Sequence, residues 1–244
     1  MPRAVLPVLL SLVLLAGCQS TDWIHAHGQG DPLLGSIQDI AGQRAVDERT
    51  LLAELARAAF VLLGGAHDNL DHHRLQARLV EALGRGGGTT LAAVAFETIE
   101  TDQQTVLVEQ LDRGNVAALG QVLHWEQPGG RPALVDYRPI LQAAQDAGAE
   151  IVAAGLPMAT VTAVLSEGPG ALPPSFAQRT GLLQPLPPLL AAELDQKIAA
   201  AHCGELAPGL VARMADAQRA RDASLADRLV TLTGHGQGVL IAGP

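Results

Sequence analysis

Three groups of residues in this 244-residue chain have the types and spacing that chemistry uses. The first is His67 with Glu97. His67 stands three residues after Gly64, at the exit of the apolar run 59–63, and Glu97 directly follows the apolar run 91–96. Brought together at the ends of two strands, an imidazole and a carboxylate could bind a metal, work as base and orienter, or hydrogen-bond to each other. The second group is Gln218, Arg221 and Asp222, which interrupt the apolar stripe Leu210, Met214, Leu225, Leu229, Leu232 on one helix face. Polar groups at such positions are expensive unless satisfied, so they either form a buried ion pair or line a ligand pocket. The third group consists of single residues. Tyr137 is the only tyrosine, and a phenolate can be an axial haem ligand. His202 and Cys203 sit in the turn before the long helix, Cys203 reading as a buried thiol rather than a nucleophile.

The elements that must position these groups alternate. A small hairpin is expected from Ser36–Ile40 and Arg44–Val46, then a helix capped by Asp47 running to about Arg57 with Leu51, Leu52 and Leu55 inward. The run 59–63 reads as a buried strand closed by Gly64-Gly65. A helix over 70–83 follows, with His72, Leu75, Leu79 and Leu83 on its inward stripe and His73 pointing elsewhere. Asp68, Asn69 and Asp71 read as caps of that helix. A second strand ends in Glu97, helices cover about 102–112, 116–124 and 133–147, and a third strand spans 150–154. Pro173, Pro174, Pro185, Pro187 and Pro188 mark a loop-rich excursion before a long helix over 208–232 and a last strand over 238–242. Strands separated by helices pair in parallel through crossovers, which defines a three-layer α/β domain with a mostly parallel central sheet. Such sheets bind ligands beyond the carboxyl ends of their strands, where His67, Glu97, Gly155 and the residues after Ala242 fall.

Composition closes off other classes. Apolar residues make up 48% and charged residues 17%, which excludes disorder and coiled coil. A net charge of −9 lacks the basic footprint that nucleic acid needs. Lys197 is the only lysine, so Schiff-base chemistry would rest on it alone. Two cysteines, Cys18 and Cys203, make no disulfide framework. The N-terminus reads as an address: Arg3, the apolar run 5–15, then Leu15-Ala16-Gly17-Cys18. That run is too short to span a bilayer, which takes roughly 20 apolar residues. We expect residues 1–17 to be a removable signal, Cys18 to carry a lipid such as palmitate, and 18–32 to be a spacer before a domain over 33–244. Leu-Ala-Gly-Cys is the pattern of a bacterial lipobox, and Gln19-Ser20 without Asp points to the outer membrane.

Several motifs in order resemble the ChaN-like haem-binding lipoproteins of the haem-uptake and Tiki superfamily. They are Leu63-Gly64-Gly65-Ala66-His67-Asp68-Asn69 through His72-His73-Arg74-Leu75-Gln76, then Phe96-Glu97, Trp125-Glu126, Tyr137-Arg138-Pro139, Ala201-His202-Cys203-Gly204, and Met214 with Gln218 and Arg221-Asp222-Ala223. The resemblance implies an α/β fold, lipid anchoring in the envelope and haem binding for iron uptake. Haem, the membrane and a second copy of the chain are the implied partners. Tyr137 is the implied iron ligand, with Arg221 or a histidine (His67 or His202) toward the propionates. The superfamily also holds metal-dependent hydrolases, for which His67 and Glu97 would hold zinc or manganese and activate its water. The chain departs from the family pattern twice. Gly65 stands where the family usually has Glu, and a second Gly-x-x-His expected after the last strand is not reached before Pro244. These departures make hydrolysis the lesser expectation and suggest a C-terminal truncation.

Overall fold

The computed structural model describes residues 23–25, 28, 30–86, 89–123, 125, 134–232 and 236–243. The signal, Cys18, Glu126 and Pro244 lie outside them. Strands β1 (Ile37–Asp39) and β2 (Arg44–Val46) pair antiparallel as the expected hairpin. Helix α1 (Glu48–Leu55) starts at Asp47, whose carboxylate accepts from the Thr50 amide at 2.8 Å.

The core sheet holds β3 (Phe60–Gly64), β4 (Leu91–Glu100), β5 (Glu150–Gly155) and β6 (Gln237–Ala242), all parallel, in the order β3-β6-β4-β5. The last strand therefore inserts between the first two. One face is covered by α2 (Leu70–Arg85) and α5 (Leu134–Asp146), which pack on each other. The other face is covered by α6 (Met158–Glu167) and α9 (Pro208–Leu232). The three layers match the expected α/β class. Helices α3 (Gln104–Asp112) and α4 (Leu119–Val122) follow β4.

The proline-rich stretch is more regular than its sequence suggests. It holds α6, α7 (Pro174–Arg179) and α8 (Pro188–Ala201). Pro174 and Pro188 occupy first-turn positions, where the missing N–H has no helical partner to lose. Helix α8 packs chiefly on α9, one row away from the sheet.

Helix α2 corrects the expected stripe. Its buried residues are Asp71, His73, Gln76, Val80 and Leu83, whereas Leu75 is 39% exposed. The helix is turned by about one residue because its inner face is partly polar: the Gln76 amide donates to the Leu63 carbonyl at 2.9 Å. The spacer reading is also revised. The backbone amides of Ile24 and His25 both donate to the Asp71 carboxylate, at 3.0 and 2.9 Å, so the arm is docked at the start of α2 before it reaches β1.

The two edges of the sheet differ. Along β5, the Gln104 side chain behaves as a strand partner: its amide donates to Ile151 O at 3.1 Å and its carbonyl accepts from Ala153 N at 2.7 Å. Arg228 adds a bond to Ala153 O. At β3, alternate residues Phe60 and Leu62 face away from α2 and are exposed, because α9 crosses the other three strands but does not reach this one.

Candidate functional site

The turn leaving β3 is fixed by three backbone ties. Gly65 N donates to Ala242 O, Ala66 N donates to His72 Nδ1 at 2.9 Å, and Asn69 N donates to Ala66 O. His72 is thus hydrogen-bonded, as expected, and it braces the turn that presents His67.

Glu97 does not end its strand, as the sequence suggested. β4 continues to Glu100 through an irregularity between Phe96 and Glu100, where Gly155 of β5 approaches. A Cβ on Gly155 would lie 2.2 Å from the Glu97 carbonyl oxygen, so only glycine permits that approach. The irregularity turns Glu97 over the end of β6. Its Oε2 accepts from Gly243 N at 2.7 Å, its Oε1 accepts from Arg221 Nη2 at 2.9 Å, and His67 Nε2 lies 3.8 Å from Oε2. His67 and Glu97 therefore meet although their strands are not neighbours. The bridge is β6, and a Cβ on Gly243 would lie 2.7 Å from His67 Nε2.

On its other nitrogen His67 meets Tyr137, with Nδ1 and the hydroxyl 2.8 Å apart. Tyr137 is 1% exposed, stacked between His73 (ring centroids 4.2 Å) and Trp125 (5.5 Å). Burial, with the Glu97 and Asp136 carboxylates adding to it, pushes its phenol well above the usual tyrosine range. The phenol stays protonated and donates to Nδ1, which assigns the His67 proton to Nε2, facing Glu97. Tyr137 lines neither of the cavities at this edge.

Those cavities share the Glu97–Arg221 pair as a wall. The smaller, about 220 Å³, is lined by His67, Glu97, Gly155, Met158, Val161 and Arg221. The larger is a cleft of about 1010 Å³ over the uncovered end of the sheet. Its floor is Phe60, Leu62, Leu240 and Ala242, and its walls come from α8 and α9. Of the polar residues singled out on α9, Gln218, Arg221 and Asp222 all reach the cleft. The Gln218 amide donates to Asp222 at 2.8 Å, while Arg221 turns to Glu97. The cleft pushes the Asp222 carboxyl up, mainly by desolvation, with the Glu97 charge adding to it.

His202 caps α8 and also lines the cleft. Cys203 beside it is exposed and takes a left-handed backbone (φ 58°), so it is not the buried thiol the sequence suggested. Sequence reasoning missed Phe60 and Leu62, read as part of a fully buried strand, and Lys197 and Leu194, hidden in the proline-rich stretch. The alternation of exposure along β3 is invisible when every residue in the run is apolar.

A zinc or manganese centre does not fit. Among the described residues no group of three or more His, Cys, Asp or Glu side chains is placed to hold a metal ion. Both Glu97 oxygens already accept hydrogen bonds, and His67 offers a proton rather than a lone pair on the nitrogen that faces the pocket. The cleft, by contrast, suits a large planar ligand with a few anionic groups, since binding sites of this kind are mostly apolar with sparse, placed polar groups.

With fold and site described, their class is clear. The family described as haem-binding uptake, Tiki superfamily, ChaN matches residues 51–244, and the chain belongs to it. Among solved structures it is similar to ChaN of Campylobacter jejuni, in a structure describing cofacial haem binding, with a TM-score of 0.66 and 21% identity over 85% of this chain and 79% of that one. That likeness is one of fold. The type III effector HopBA1 is a more distant neighbour, with a TM-score of 0.46 and 16% identity over 80% and 70% of the two chains. No curated protein matches the chain.

Proposed function

We propose that this chain is an envelope lipoprotein, anchored through Cys18 in the outer membrane, that binds haem in the cleft between β3, α8 and α9 for iron acquisition. The observation that carries the reading is the cleft itself: about 1010 Å³, apolar on its floor, with Lys197 and Arg221 as cations on its walls. A macrocycle needs the apolar surface, and its propionates need the cations. Family membership supports the same ligand. Leu62, at 69% exposure, stands at the cleft and remains uncovered by the chain's own helices. A second copy closing over this apolar mouth is the partner we propose, in line with the cofacial haem described for the ChaN relative.

The test is an absorption titration of haemin into the purified full chain, against a matched buffer and detergent blank. We expect a saturable Soret shift, and its absence would sink the reading. The anchor is tested separately. Cys18→Ser should leave membrane fractions, and mass spectrometry should find an acylated Cys18 in the wild-type chain.

A further inference from the structure

We infer that His202, through Nε2, is the side chain of this cleft that ligates the haem iron. The inference rests on the haem reading above and assigns the ligand within it.

Two histidines stand at this end of the molecule, and their hydrogen bonds set opposite tautomers. His67 Nδ1 receives the Tyr137 phenol, so its proton sits on Nε2, the nitrogen that faces Glu97. His202 Nδ1 lies 2.8 Å from the Ile198 carbonyl oxygen. A carbonyl only accepts, so in the neutral ring Nδ1 carries the proton and Nε2 carries the lone pair. An imidazole that donates one N–H to a backbone carbonyl and offers the other nitrogen is the usual arrangement of a metal-ligating histidine.

The local backbone holds that ring in place. His202 is the cap residue of α8, and the chain reverses behind it through Cys203 and Gly204, both with positive φ. Cys203 N and Gly204 N bond back to Ala200 O and Ala199 O. The ring is thus presented from a closed helix end at the cleft wall.

The other donors in the cleft are committed or unsuited. Glu97 accepts from Arg221 and Gly243, Asp222 accepts from Gln218, and Lys197 is paired with Glu193 at 2.8 Å. Met214 offers a thioether from the opposite wall, a weaker ligand for ferric iron on its own. Tyr137 would have to abandon His67 and leave the core to reach the cleft. Its role is to fix His67, not to hold iron.

The experiment uses the full chain loaded with haemin, comparing wild type with His202→Ala, His202→Gln and Tyr137→Phe by absorption and electron paramagnetic resonance. Wild type should show an imidazole-ligated ferric spectrum. Both His202 variants should lose it and bind haemin at least tenfold more weakly, and added imidazole should restore it in His202→Ala. Tyr137→Phe should keep the wild-type spectrum. If wild type binds haemin but the His202 variants keep its spectrum and affinity, the assignment is overturned while the haem reading stands. A tyrosinate charge-transfer band that vanishes in Tyr137→Phe would overturn it equally. If wild type binds no haemin, the function itself fails and the assignment with it.

Discussion

The two cavities on either side of Glu97–Arg221 are built on opposite plans. In the small pocket each group with catalytic chemistry is already satisfied by another: Tyr137 with His67, Arg221 and the Gly243 amide with Glu97. In the large cleft, apolar residues sit open and a histidine presents an unused lone pair. Residue types suited to catalysis therefore mark the part of this molecule that is braced, and the binding volume lies next to it. A polar cluster satisfied within itself acts as framework, whereas ligand binding needs surface that the fold leaves unsatisfied.

This contrast can be broken, or sharpened, in four ways. The largest effect should come from the framework. Tyr137→Ala removes a fully buried ring from the main core and should destabilise the chain by about 3–5 kcal/mol, against about 1 kcal/mol for Tyr137→Phe, which loses only the bond to His67. Denaturant midpoints for the pair check this, and equal losses would show that the ring matters less than its hydroxyl. Next, Arg221→Met strips Glu97 of its charged partner. The arginine side chain is partly exposed, so screening reduces the loss to about 1–2 kcal/mol, read as a lower midpoint together with weaker haemin binding.

Leu62→Ser probes the cleft side. It should leave stability within about 0.5 kcal/mol, because the side chain is exposed, yet lower haemin affinity about tenfold through lost apolar burial. An unfolding defect without a binding defect would reverse the assignment of the two cavities. The smallest effect concerns pH. Burial, its first cause, holds the His73 imidazole below its ordinary value of 6.5. A group depressed in the folded state stabilises the fold above its unfolded pKa, and that contribution is lost as pH falls through the folded value. Melting temperature should therefore decline from pH 7 into the acid range, and His73→Gln should flatten that slope.

Much of the frame was legible because local signals agreed. The Asp47 and Asn69 caps, the short apolar runs and the long C-terminal helix each announce themselves within a few residues. The carboxyl edge was legible too, since strand order does not change which ends point there. What stayed hidden depended on non-local packing. Nothing local tells that β6 inserts between β3 and β4, yet that insertion is what joins His67 to Glu97 through Gly243. The inward phase of α2 was misread because Leu75 outranks His73 and Gln76 in hydrophobicity, while the site needs the polar pair inside. Helix α8, which carries His202 and one wall of the cleft, was obscured by prolines that start helices as readily as they end them.

The Asp71 clamp gives the domain a heading. Its carboxylate grips the amides of Ile24 and His25 beside the turn that bears His67, so the arm is moored at the sheet's carboxyl edge. Five peptide links separate Cys18 from Trp23. They span at most about 18 Å when fully extended. A lipid on Cys18 would then moor this edge close against the bilayer, with its carboxyl side toward the headgroups and the hairpin-bearing body swung outward. Haem would reach or leave the cleft at the membrane surface rather than from open solvent, on a domain that rides at short scope instead of drifting on a long line.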